Sequence, residues 1–365
     1  MSGGAGAMGI GSSSCSSRCG EHHARVSSPN VRKTIAFDDP LDFPFASVAA
    51  ACEQAGFTPV APSWPVLDPA EYVAPRTDAF SAELLAAAEA ALIEDGVFTE
   101  ENWAVAYLDR DFGGHRFTPD SLARAAVKFG WAVAYAAELS AELSGDFEIN
   151  FAGTFQPTTP IEHLFIALEL RRRGVSPSAL ALRWPGRFEA AVDFEDDASE
   201  FAQAVVAHAA VARLAGNYRL SFSHAEEKFS VLPAIGRECG ERLHVKTSSL
   251  AWMAALRVVA RVEPALFREI LRSAQEHFVF DKVSAPIFTN EEDVRFLPEA
   301  SDAELERTFL EDVRGRQLLH VTARSILGEP PLADPLRAAL AAHSALHHEL
   351  LSASVARHLA ALQVG

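Results

Sequence analysis

The chain predicts an α/β fold of the TIM-like (β/α) barrel type, with helices appended at the C-terminus. From Thr34 onward short apolar runs alternate with long amphipathic segments, the order expected of βα units that build a parallel sheet. The 365 residues are 49% hydrophobic, enough to bury a large core, and barrels of this length commonly form one domain. No glycine fingerprint follows an early strand, and Ala55-Gly56-Phe57 closes a helix without opening one. A doubly wound open sheet with a dinucleotide site is therefore the weaker alternative.

Residues 1–31 read as a disordered low-complexity tail and residues 32–365 as a single barrel-type domain. Met1 to Ser17 is Gly, Ser and Ala with an isolated Ile10, which lacks the order of a secretory signal. Cys15, Cys19, His22 and His23 in the tail lack the second half of a zinc site and read as incidental. Strands are expected at Thr34–Phe37, Thr58–Ala61, Trp103–Leu108, Phe147–Phe151, Ala179–Arg183, Tyr218–Phe222, Arg242–Val245 and Leu318–Thr322. Between them, apolar residues three and four apart predict helices over Pro119–Leu143, Pro160–Arg173, Ser199–Leu214 and Pro264–His277. Pro119, Pro160 and Pro264 stand where a first helical turn tolerates proline. Residues 332–362 read as one or two terminal helices, whose His343, His347, His348 and His358 are expected on the surface or in packing.

The 49 acidic against 32 basic residues give a net charge of −17, which argues against a general hold on nucleic-acid phosphates or anionic lipid. Small molecules are the expected partners, and an anionic one would need a local basic pocket. Four cysteines make no disulfide framework, and no run approaches the ~20 apolar residues of a membrane span. The expectation is a soluble, cytoplasmic protein.

In a barrel the site lies in the segments just past each strand. After the first strand Asp38, Asp39 and Asp42 could bind a cation, serve as a base, or cap the next helix. After the strand at 147–151, Ala152-Gly153-Thr154-Phe155 offers no acid, base or strong ligand before Gln156. Arg183 could clamp a carboxylate or pair with a structural acid. The segment Ser223-His224-Ala225-Glu226-Glu227-Lys228 is the densest group of ionisable residues after any strand. His224 and Glu226 there could transfer protons and Lys228 anchor an anion, or the two glutamates could serve only the dipole of a following helix. His244 and Lys246 share one face at a strand end, next to Thr247, and would make the mouth locally basic. His320 lies in an otherwise apolar run and is either a site residue or a core histidine.

Six collinear stretches then look familiar: QPTTPIEHLFIALELRRRGV at 156–175, LALRWPGRFEAAVDF at 180–194, FSHAEEKFSVLP at 222–233, LHVKTSSLAW at 243–252, PALFREILRSAQEHF at 264–278 and RQLLHVTARSIL at 316–327. In these words the chain resembles the tagaturonate/fructuronate epimerase family over roughly residues 35–360. The resemblance implies a metal-dependent barrel enzyme of hexuronate metabolism that inverts a hydroxyl-bearing carbon. Such chemistry needs an acid, a base and a way to stabilise an anion, which a divalent cation can supply.

Set against the family's pattern, Glu148, Arg183, Lys228, His244, Lys246, Thr247 and His320 are retained. The resemblance therefore implies His224, Glu226 and His320 as catalytic candidates, and Arg183, Lys228, His244, Lys246 and Thr247 as sugar-acid ligands. Ala152 and Gly153 stand where the family carries an Asp-Glu pair, Ser223 and Pro286 where it carries histidines, and Leu41 and Asp42 near an Asp-His pair. The metal ligands are left unknown. The expectation is an epimerase-like protein with lost or altered activity. The alternatives are an active sugar isomerase or epimerase with a rebuilt site, or a non-catalytic partner of an intact homologue. The family's N-terminal region is replaced by the tail, and Trp103–Leu108 forms a hairpin with Phe112–Phe117. The barrel is thus expected with seven strands or incomplete closure, and a homodimer is the expected cover for its open edge.

Overall fold

The structure, a computed structural model, describes residues 32–37, 41, 46–60, 63–69, 74–99, 102–285, 287–295 and 298–363. The expected tail, Asp38, Asp39, Asp42 and Pro286 lie outside them.

Seven strands form one sheet: β1 Thr34–Ala36, β2 Thr58–Val60, β3 Val66–Leu67, β4 Glu148–Asn150, β5 Ala179–Ala181, β6 Arg219–Phe222 and β7 Leu243–Lys246. Their spatial order is β2-β1-β7-β6-β5-β4-β3, and every ladder is parallel. First pairing with last is the signature of a ring, and among the described residues the ring is unjoined only between β2 and β3. This is a (β/α) barrel of seven strands with incomplete closure, as the sequence led us to expect.

Alternation along the strands explains what the ring encloses. Ile35, Ile149, Leu180, Leu220, Phe222, Leu243 and Val245 join one apolar core with the surrounding helices. Thr34, Glu148, Ser221 and His244 are also buried, but they bond to one another and stay out of that core. The barrel interior is therefore polar and the shell around it greasy. Trp64, between β2 and β3, stacks on His244 of β7 with ring centroids 4.5 Å apart and lies under the Arg219 guanidinium at 5.2 Å. An indole thus packs against the interior beside the unjoined seam.

Helices α1 Ala46–Gln54, α2 Ala82–Glu94, α3 Pro119–Ser140, α4 Pro160–Arg172, α5 Ala198–Ala215, α6 Leu232–Cys239 and α7 Ser248–Val262 follow the strands. Thr118 and Thr159 begin α3 and α4 with capping boxes and a proline in the first turn. A second apolar cluster joins α7 to α8 Pro264–Asp281, α9 Glu291–Arg295, α10 Val313–Val321, α11 Ala323–Gly328 and α12 Pro330–Ala342. Helix α13 Ser344–Gln363 returns to the barrel, where Leu351, Val355, Leu359 and Leu362 enter the first core. Among the described residues no helix is long and apolar enough to cross a membrane.

Two expected strands are helical. Trp103–Ala106 is a 3-10 turn, and Phe112–His115 makes an isolated bridge in place of a hairpin. Trp103 stacks on Phe98 at 4.1 Å while Tyr107 donates to Glu169, so the aromatic run is an outer cluster over α4. Leu318–Val321 belongs to α10 and Thr322 is its C-cap; Asp312 caps the start of that helix by accepting from Arg314 N (3.0 Å) and Gly315 N (3.4 Å). Its Leu318 and Leu319 pack into the second core rather than into the sheet.

Candidate functional site

The polar interior converges on Glu148. Its carboxylate accepts from Ser221 Oγ (2.6 Å) and Lys246 Nζ (2.6 Å), and His244 Nε2 lies 3.8 Å away. Strand parity places these groups: Glu148 opens β4, while His244 and Lys246 leave one face of β7. In the sequence Glu148 stands out only as a residue shared with the family's pattern. Here it is the counter-charge of Lys246 alone, with 1% side-chain exposure against 16% for the lysine. The other ring nitrogen of His244, Nδ1, lies 2.8 Å from Thr34 Oγ1, and burial, aided by Lys246 and Arg219, pushes its pKa down to about 3. His244 is thus a neutral ring clamped between β1 and Trp64.

Beyond β6 the chain turns sharply. His224 takes a left-handed conformation with φ of 53°, a strained state for a residue with a side chain, and the following turn carries Glu226. This turn brings His224 to His320 of α10, with ring centroids 5.7 Å apart and planes at 74°. Glu226 is buried and accepts from Ser249 at the start of α7, while His358 of α13 donates to the Glu226 carbonyl. The structure therefore brings His224, Glu226 and His320 together, although His320 arrives on a helix.

Burial pushes the His224 ring down to about 4, against the pull of Glu226, and also lowers His320. For Glu226 burial acts upward, but the two imidazoles and the Ser249 hydroxyl outweigh it and hold the carboxyl below its usual range. Two buried atoms of this group, His224 Nδ1 and Glu226 Oε2, have no hydrogen-bond partner among the described residues. An orphaned imidazole nitrogen and an orphaned carboxylate oxygen in one turn can each take or give a proton to a ligand.

The remaining predicted ligands differ in how free they are. Lys228 is fully buried, and its ammonium donates to the carbonyls of Glu189 and Val192, over the ring of Phe188 at 5.1 Å. Burial lowers its pKa. Thr247 donates from Oγ1 to Ala36 O at 2.9 Å and so ties β7 to β1. Arg183 is half-buried, and its guanidinium has no hydrogen bond or ion pair among the described residues. It borders a cleft with Arg187, Phe188, Glu189 and Ile287. Two guanidiniums and one carboxylate thus line the cleft, and Arg187 is already paired with Asp196.

The residues after β4 are Ala152 and Gly153, and Asn150 accepts from Ala152 N at 2.9 Å. Among the described residues no group of three His, Cys, Asp or Glu is arranged to hold a metal ion. The donors among the described residues therefore do not fit the divalent cation that the family resemblance implies; Asp38, Asp39 and Asp42 lie outside them.

Comparison with known proteins agrees with this architecture. The sequence model of the UxaE family, tagaturonate epimerase, matches residues 54–362. The tagaturonate/fructuronate epimerase of Thermotoga maritima is 36% identical over 218 residues, covering 60% of this chain and 45% of that protein. The chain thus matches less than half the length of this curated relative. A crystal structure of fructuronate-tagaturonate epimerase UxaE from Cohnella laeviribosi with two glycerols superposes with a TM-score of 0.82 at 23% identity. It covers 92% of this chain and 82% of that one, and at such identity it speaks for the fold alone. The native crystal structure of the Cohnella laeviribosi enzyme gives a TM-score of 0.73 at 27% identity, covering 86% of this chain and 65% of that one. With the family model spanning β2 to the end of α13 and the barrel matching throughout, the chain belongs to the tagaturonate epimerase family.

Proposed function

We propose that this chain binds a ketohexuronate-type sugar acid at the mouth of its barrel, and that its epimerase activity is lost or altered. One observation supports the reading above the others. Arg183, unpaired among the described residues, borders a cleft and could take a carboxylate, while the residues after β4, where the family resemblance places acid, base or metal chemistry, are Ala152 and Gly153. A guanidinium can hold a carboxylate in a bidentate pair without any catalytic group nearby. Inverting a carbon asks for more.

The test is direct. The purified chain is incubated with tagaturonate, with and without added divalent metal, beside the Thermotoga maritima enzyme. The expected result is a melting temperature raised by tagaturonate, since a ligand that binds only the native state stabilises it. Turnover should fall far short of the relative's. Turnover at a comparable rate overturns the reading.

A second reading is favoured by the orphaned atoms of His224 and Glu226 beside His320. In it the trio is a rebuilt acid-base centre that isomerises or epimerises a related sugar acid. His224→Ala and His320→Ala would then abolish turnover of that substrate while the protein stays folded. Variants that change stability alone rule this reading out.

A further inference from the structure

Between α4, α5 and β6 lies a buried polar chain that the site described above does not use. Tyr218 Oη is 2.7 Å from His163 Nε2, His163 Nδ1 is 3.1 Å from His208 Nδ1, and His208 Nε2 is 2.9 Å from Thr158 O. His163 is 0%, His208 1% and Thr158 3% exposed, so no solvent completes these bonds.

The far end fixes the direction of every link. A carbonyl oxygen only accepts, so His208 Nε2 carries the proton given to Thr158. The same neutral ring then has a bare Nδ1, which must accept from His163 Nδ1–H. His163 Nε2 is left bare in turn and accepts from the Tyr218 hydroxyl. The chain has one consistent arrangement, Tyr218 to His163 to His208 to Thr158, with both rings neutral. Burial agrees, since it holds His163 well below its ordinary value and His208 down to about 4.

Thr158 stands at the foot of the segment that leaves β4. Its N–H donates to Arg183 O at 2.8 Å, and its Oγ1 accepts from Arg183 N at 3.3 Å. The main chain of Arg183 is therefore clamped twice by the residue that the histidines hold. The neighbouring residues are fixed by separate means: Lys128 donates to Glu162 (3.1 Å) and toward Pro157 O (3.4 Å), and Thr159 N donates to Glu162 (2.7 Å). Buried polar networks lower adaptability and specify one geometry. This one is spent where the strand carrying the free guanidinium ends.

We propose that Tyr218, His163 and His208 are positioning residues, a one-directional hydrogen-bond relay that holds Thr158 and through it presents Arg183 to the carboxylate of the bound sugar acid. The proposal rests on the reading that a sugar acid binds at this mouth.

The experiment compares His208→Leu, His208→Gln and Tyr218→Phe in the full chain. Glutamine can donate to Thr158 O from its amide nitrogen and accept from His163 with its oxygen, so it keeps both roles, whereas leucine keeps neither. Two measurements are made on each variant: hydrogen–deuterium exchange at the amides of Thr158 and Arg183, and calorimetric affinity for tagaturonate and for the ketohexose lacking the carboxylate.

His208→Leu is expected to speed exchange at both amides and weaken tagaturonate binding about tenfold, with the ketohexose little affected. His208→Gln should restore both, and adding His208→Leu to Arg183→Ala should cost no further affinity. A lowered melting temperature with wild-type exchange at Thr158 and Arg183 overturns the relay, because a merely structural role would show only that. If the wild-type chain binds no tagaturonate, the functional reading fails on its own, and unchanged or accelerated exchange still decides whether the relay holds Arg183.

Discussion

Lys246 donates to Glu148 at 2.6 Å although β5 and β6 lie between their strands in the sheet. Three strand spacings measure about 14 Å along a flat sheet, so a direct contact is possible only because the sheet is strongly curled. The pair is thus a strut across the barrel as well as the charge balance of its mouth. Removing one partner of a buried pair leaves an uncompensated charge and costs about 3–5 kcal/mol. Lys246→Met is expected at the low end, since the lysine keeps some exposure, and Glu148→Ala at the high end, since Ser221 also loses its acceptor. The double variant Glu148→Ala/Lys246→Met should unfold at a urea concentration well above that expected from the two single losses summed. Additive losses would mean that the two side chains are not coupled.

The neutral histidines predict acid sensitivity well before the carboxylates titrate. His208 and His224 are held near 4 and His244 near 3, all from an ordinary value of 6.5. These are depressed folded-state values, so below about pH 6.5 the unfolded chain takes up protons that the native chain refuses. Stability should therefore be fully present above pH 6.5, fall between about 6.5 and 4, and level off below the folded values. Each histidine contributes at most about 1.4 kcal/mol per pH unit across that window. The check is the urea midpoint at pH 7.5, 6 and 5, with His244→Asn expected to flatten the slope. Equal midpoints at pH 7.5 and 5 would show that the rings are not held neutral.

Much of the barrel was legible because β4 to β7 have apolar residues such as Ile149, Leu180 and Val245 facing outward between small or polar ones facing inward. The two misread strands fail for one reason. Short apolar runs such as Trp103–Leu108 and Leu318–Thr322 carry too few residues to separate a period of 2 from one of 3.6. Asp312, six residues before Leu318, is the cap that could have marked α10 as a helix. Strand β3 escaped notice because two residues after Pro65 show no alternation at all. The site was legible in its parts but not in its pairings. Lys246 and Glu148 are 98 residues apart, and Lys228 meets carbonyls of a loop 36 and 39 residues away, so tertiary closure decides which cation is free. His163 and His208 carried no signal, since each reads as an ordinary core position of an amphipathic helix.

Gly236 in α6 predicts a local failure of the shell. A Cβ built there collides with the carbonyl of Leu362 in α13, which is backbone and cannot swing aside. The helices pack there through glycine because nothing larger leaves room for the main chain of α13. Gly236→Ala should gain helix propensity worth roughly 1 kcal/mol yet lose stability by about 1–3 kcal/mol, because overpacking forces the two helices apart. A chemical denaturation curve gives the sign. A variant as stable as the parent would show that α13 is not seated as described.

The position after β4 allows the proposed change of chemistry to be tested from the other side. Ala152 and Gly153 stand where the family resemblance places an Asp-Glu pair, and a Cβ at Gly153 meets nothing within 4 Å. Gly153 is not among the glycines with positive φ, so a side chain there brings neither clash nor backbone strain. Ala152→Asp/Gly153→Glu should therefore fold with stability within about 0.5 kcal/mol of the parent, as surface changes away from special features do. It would add two carboxylates near Asp68, whose side chain already lies 3.4 Å from Asn150 Nδ2. Clustered carboxylates favour hard divalent cations, so the variant should show a metal-dependent rise in melting temperature that the parent lacks. If tagaturonate turnover rises with it, the proposed loss of activity lies in these two positions. If metal binds and turnover does not rise, the deficit extends to the positions equivalent to Ser223 and Pro286. A parent that already shows the same metal-dependent shift would overturn the premise that its donors are insufficient.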